Sequence, residues 1–87
     1  MRPHYRVQIE RRAQKTLDAL PRDVRHRIAA RVDALAENPR PLGVRKLEGE
    51  EDLYRLRIGD YRVLYAIRDA ELLVLVVRIA DRREVYR

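Results

Sequence analysis

The stretch "YRLRIGDYRVLY", Tyr54 to Tyr65, decides how this chain is read. Gly59-Asp60 separates two runs of alternating side chains, and glycine at the first central position suits a type II′ hairpin turn. With that turn, Ile58 lies opposite Tyr61, Arg57 opposite Arg62, and Arg55 opposite Leu64. Alternation on pleated strands then sorts the residues into two faces. Tyr54, Leu56, Ile58, Tyr61, Val63, Tyr65 and Ile67 make an apolar face that helices can cover, while Arg55, Arg57 and Arg62 share the other. Like charges directly across a strand pair destabilise it by about a few tenths of a kcal/mol. Arg57 facing Arg62 therefore points to an anion that offsets the repulsion, although a basic face is also the ordinary solvated side of many small sheets.

Working outward, Tyr5, Val7 and Ile9 alternate with polar residues and predict a first strand. The period then lengthens. Ala13, Leu17 and Leu20 form one stripe of a short helix ended by Pro21, and Val24, Ile28, Val32 and Leu35 one stripe of a longer helix ended near Asn38-Pro39. "NPRPLGVR", residues 38–45, reads as a loop. Strand-like runs follow at Leu53 to Ile58, Tyr61 to Arg68 and Leu72 to Ile79, with Asp69-Ala70-Glu71 as the second connection. The expected architecture is α+β, in the order β-α-α-β-β-β, with a helical hairpin on one face of a small, mainly antiparallel sheet. No linker or repeat divides residues 1–87, which read as a single domain.

The register of the last strand is open. A three-residue connection sets Arg78 opposite Arg62 on the arginine face, whereas one residue more or fewer turns it away. Beyond that strand, Arg82, Arg83 and Tyr86 are within chain reach of the same surface, where a tyrosine supplies a stacking ring and a phenol beside the guanidiniums.

Charge and composition narrow the function. Lys+Arg is 20 against Asp+Glu 14, a formal net charge of +6, which favours an anionic partner. Lys15 and Lys46 are the only lysines; the remaining cations are arginines, whose planar fork grips phosphate oxygens in pairs. With no cysteine, disulfides, thiolate catalysis and cysteine-ligated zinc are excluded. The apolar run Leu72 to Val77 is far short of the ~20 residues that span a bilayer, and the first residues do not resemble a signal peptide, so a cytoplasmic protein is expected. There is no phosphate-binding glycine loop, metal-ligand spacing or Ser-His-Asp set, and His4 and His26 read as solvent-facing. No metal or cofactor is expected.

"KLEG", "LYRLRIGDYRVLYAI" and "VLVVRIADRREVYR", in that order after a helical hairpin, resemble the RelE/ParE superfamily of type II toxins, and within it the RelE branch. The similarity covers nearly the whole chain. It implies a ribosome-dependent, metal-independent endoribonuclease that cuts mRNA in the A site by attack of the RNA's own 2′-hydroxyl. The implied partners are a cognate antitoxin, the ribosome and mRNA, with no membrane involved. On the family's pattern Arg55, Arg57, Arg62, Arg82 and Tyr86 fall on catalytic positions and Lys46 on a backbone-binding one, while Arg45, Arg78 and Arg83 are further RNA-binding candidates on the basic face. Arg62 and Arg82 are expected to stabilise the developing phosphorane charge, Arg55 and Arg57 to hold the scissile phosphate, and Tyr86 to act as general base or stacking platform. Two departures stand out. Well-known RelE toxins carry lysine where this chain has Arg55 and Arg57, and arginine does not give up its proton. Many relatives have histidine or lysine where this chain has Asp81, so no general acid is evident. A ParE-like poison of DNA gyrase, or a silent module that only binds an antitoxin, are the competing readings.

Overall fold

The computed structural model describes residues 4–49 and 52–81. The chain runs β1 (Arg6–Ile9), α1 (Arg11–Asp18), α2 (Arg22–Ala34), β2 (Arg45–Lys46), β3 (Leu53–Ile58), β4 (Tyr61–Arg68), a 3₁₀ turn (Asp69–Glu71) and β5 (Leu73–Asp81). These five strands form one sheet in the order β1-β5-β4-β3-β2. Strands β2 to β5 pair antiparallel in sequence, and β1 lies parallel to β5 at the other edge. The expected α+β order is therefore present, with an additional strand, β2. It escapes the sequence because two adjacent charged residues carry no alternation to recognise.

The hairpin has the expected register, with Ile58 opposite Tyr61 and Arg57 opposite Arg62. Gly59 adopts φ +59° and Asp60 has a negative φ, the combination of a type II′ turn. Leu56, Ile58, Val63, Tyr65 and Ile67 are buried in one cluster with Ala13, Leu17, Ile28, Val32 and Leu35 of the helical segment. Each helix thus turns its predicted stripe onto the apolar face of the sheet. Burial of such side chains is worth about 1.5–3 kcal/mol apiece, which holds two helices that have no side-chain caps at their N-termini.

Strand β5 reaches its register by two compensating shifts. Leu72 adds a fourth residue to the connection, in the left-handed region at φ +50°. That extra residue alone would turn Arg78 to the helix-covered face. A bulge between Leu64 and Tyr65 then pairs Tyr65 with Val76 but Leu64 with Arg78, leaving Val77 without a register partner on β4. The bulge returns Arg78 to the row of Leu64 and Arg55, and Arg62 faces Ala80 rather than Arg78.

The loop between α2 and β2 is tied down at both ends. Pro39 is buried and its carbonyl accepts a 2.8 Å hydrogen bond from the Tyr65 hydroxyl, while Val44 packs on the core. Between these points Leu42 stands 98% exposed and Gly43 takes φ +89°.

Candidate anion-binding site

The face of the hairpin away from the helices carries the arginines. Strand pairing sets Arg45 directly opposite Arg55, and Arg57 directly opposite Arg62. Arg45, Arg55, Arg57 and Arg62, with Gly43, line one open pocket of about 410 Å³. None of these five residues is acidic. Arg62 is only 5% exposed, the single buried charged side chain among the described residues. Burial restricts its rotamers and fixes the direction of its charge, whereas Arg45 and Arg57 are exposed and Arg55 half-buried. Arg57 is steadied by a 3.4 Å hydrogen bond from its Nε to the Gly59 carbonyl. The pocket concentrates positive charge on three neighbouring strands, and fork-shaped donors of this kind bind phosphate oxygens in pairs.

Four of the predicted site residues are thus brought together. Lys46 is not among them. It pairs with Tyr54, whose ring stacks on Tyr65 at 6.1 Å on the helix side, so Lys46 points away from Arg45 and Arg55. Adjacent residues of a strand face opposite ways, and two neighbouring cations carry no alternation that marks 45 and 46 as one. Arg78 shares the row of Arg55, but it lines a different hollow beside α1, with Arg12 and Thr16. Arg82, Arg83 and Tyr86 lie outside the described residues. His4 and His26 are exposed, as expected, and no cluster suited to a metal ion occurs among the described residues.

Gly43 and Arg40 were not anticipated. The Arg40 guanidinium donates to both carboxylate oxygens of Asp69, at 3.2 and 2.8 Å, and through Nε to the Tyr54 hydroxyl at 3.2 Å. It also lies 5.2 Å from the centre of the Tyr54 ring. Tyr5 donates to the same carboxylate at 2.6 Å. The Arg40 hydrogen bonds, and then that of Tyr5, hold the Asp69 carboxyl at a pKa of about 2, below its ordinary 3.8. Tyr5 in return is held above its ordinary value, chiefly by donating to Asp69, and Tyr65 is pushed upward by burial. These groups clamp the loop whose next residues, Gly43 and Arg45, form one wall of the pocket. An arginine between two prolines was a signal of a fixed loop, but its acidic partner is 29 residues away.

A family model described as the ParE toxin of the type II toxin-antitoxin system, parDE, matches residues 7–86. The protein named Toxin RelE of Mycobacterium tuberculosis is 38% identical over 87 residues, which cover 95% of this chain and 87% of that one. The mRNA interferase toxin RelE of Escherichia coli is 31% identical over 86 residues, covering 94% and 90% respectively. A chain of the archaeal RelE-RelB complex from Pyrococcus horikoshii superposes with a TM-score of 0.82 at 36% identity, over 91% of this chain and 96% of its own length.

Proposed function

The chain belongs to the ParE toxin family of type II toxin-antitoxin systems, and from that premise we propose that it is a RelE-type endoribonuclease that cuts mRNA in the ribosomal A site. The observation that carries this reading is the pocket in which Arg45, Arg55, Arg57 and Arg62 meet. Relatives that bear the name mRNA interferase, and a structural neighbour taken from a RelE-RelB complex, support it. The site of action places the protein in the cytoplasm; no helix of the described residues is long and apolar enough to cross a membrane.

The chemistry follows from the residue types. Arg55 and Arg57 hold the scissile phosphate and neutralise its charge. Attack by the adjacent 2′-oxygen on phosphorus adds negative charge to the non-bridging oxygens and expels the 5′-oxygen, leaving a cyclic phosphate. Arg62, whose direction is fixed by burial, meets that developing charge, and fixed donors of this kind are worth roughly 3–4 kcal/mol each. Because guanidinium keeps its proton, none of these arginines serves as acid or base, so a proton must move through other groups. On the family's pattern Arg82 adds to the charge stabilisation, and Tyr86 is the base or stacking platform. Between rounds of activity a cognate antitoxin covers the basic surface.

Primer extension on a reporter mRNA, with ribosomes halted at a defined codon, tests the proposal. A-site cuts by the wild type and none by Arg62→Ala are expected. Growth arrest without cuts would transfer the protein to gyrase poisoning and leave the arginine pocket as a binding surface only.

A further inference from the structure

We infer that the hollow between α1 and β5 is a second phosphate-binding subsite, which takes the same RNA strand where it leaves the arginine pocket. This inference rests on the RNA-cutting reading above and adds a path for the substrate.

The hollow, of about 300 Å³, is lined by Arg12, Ala13 and Thr16 from α1 and by Val77, Arg78 and Ile79 from β5. None of the six is acidic. Arg12 and Arg78 are exposed, and no ion pair joins either of them to a described carboxylate. Two guanidiniums from separate elements thus flank one concavity, with a hydroxyl on Thr16 beside them. The Thr16 hydroxyl donates its one proton to the Arg12 carbonyl at 3.2 Å, so the donors that face an anion are those of the two guanidiniums. This combination suits a single phosphate group.

The bulge connects this hollow to the first pocket. It brings Arg78 level with Leu64 and, one strand further, with Arg55. Neighbouring strands lie about 4.8 Å apart, so the two arginines are separated by roughly 10 Å across the sheet. Half-buried Leu64 lies between them. An RNA strand laid across the strands therefore meets guanidiniums at Arg45 and Arg55, an apolar step at Leu64, and guanidiniums again at Arg78 and Arg12. A positively charged groove that tracks the backbone binds single strands without sequence readout, and Leu64 offers the strand an apolar surface between the cations. An acidic peptide has no need of a row continuous with the pocket, and this continuity favours RNA.

The test uses the full chain and single-stranded 2′-O-methyl RNA, which cannot be cut, in lengths of about three and about nine nucleotides. Affinity is measured by fluorescence anisotropy across a salt series, for the wild type and for the double variant Arg12→Ala/Arg78→Ala. For a single strand the slope of log affinity against log salt is about −0.7 per phosphate neutralised. Loss of this one phosphate contact in the double variant is expected to flatten the longer RNA's slope by about 0.7, while the shorter RNA and the melting temperature stay unchanged. An unchanged slope for the longer RNA would overturn the inference, as would equal flattening for both lengths. A defect seen only in binding to ribosomes that carry no mRNA would assign the hollow to ribosomal RNA and likewise overturn it. The A-site cutting assay on wild type separates this from the functional reading. Cuts with an unchanged slope remove only the subsite, and a changed slope without cuts removes only the nuclease.

Discussion

Arg57 and Arg62 face one another across the β3–β4 hairpin, one exposed and the other buried. The strand pairing keeps two like charges opposite one another, with the repulsion that this entails. Arg57→Ala is expected to raise stability by about a few tenths of a kcal/mol, through loss of that repulsion, while lowering cutting. Urea unfolding alongside primer extension measures both. A variant that is less stable, or as active as wild type, would remove Arg57 from the site.

Arg62→Ala is expected to reduce A-site cutting by about 10²–10³-fold, the usual loss of one fixed charge-stabilising donor. Because Arg62 is buried, Arg62→Lys serves as the control for folding: it keeps a cation on a long stem but loses the fork. Its melting curve should stay cooperative while cutting remains well below wild type. Wild-type activity in the lysine variant would contradict a forked grip on phosphate.

Asp69 gives a defined pH dependence. Its carboxyl titrates at about 2 in the folded chain against an ordinary 3.8. The stability this contributes is complete above about pH 4 and is lost as pH falls toward 2. Asp69→Asn should remove this part of the acid slope and leave the neutral-pH dependence unaltered. Urea midpoints measured between pH 2 and pH 5 check it; parallel slopes in the two proteins would sink it.

Tyr65→Phe removes the hydroxyl that satisfies the buried Pro39 carbonyl. A cost of about 1–3 kcal/mol is expected from the unpaired acceptor. The Val44 amide, bonded to the Pro41 carbonyl at 3.1 Å, should exchange faster as the loop loosens. Unchanged protection would show that the loop is held by packing alone.

Deleting Val77 removes the bulged residue and keeps every flanking pair, Tyr65 with Val76, Leu64 with Arg78 and Val63 with Ile79. Arg78 therefore stays on the arginine face, and the variant is expected to fold cooperatively with a circular dichroism spectrum like the wild type's. An unfolded or aggregated variant would show that the bulge itself, and not only the register it sets, is required.

The centre of the fold was legible because two independent signals agreed there. Gly59-Asp60 fixed the turn, alternation fixed the faces, and Arg45 apart, the pocket's arginines followed from those alone. The helices were legible from stripes that Ile28, Val32 and Leu35 do bury. The direction of Lys46, away from Arg45 and Arg55, is not legible because strand β2 is too short to show a period. Arg78 was undetermined because its direction depends on Leu72 and Val77, each an apolar residue in an apolar run, whose opposite effects on register only the paired strands reveal. The Arg40 clamp escaped because its strength lies in partners from three separate parts of the chain.

The parallel pairing of β1 with β5 has a consequence for the order in which the protein forms. Arg6 meets Leu73, so of the five strands the first to be synthesised waits for the last before it gains its neighbour. Helices and the β3–β4 hairpin are local and form early, whereas this closure joins the two ends of the described chain and is the slow, long-range step. Until it occurs, the outer edge of β5 offers unpaired amides and carbonyls. A nascent copy on its own ribosome is therefore incomplete, and an extended segment of another chain has its best opportunity to bind at that edge before β1 arrives.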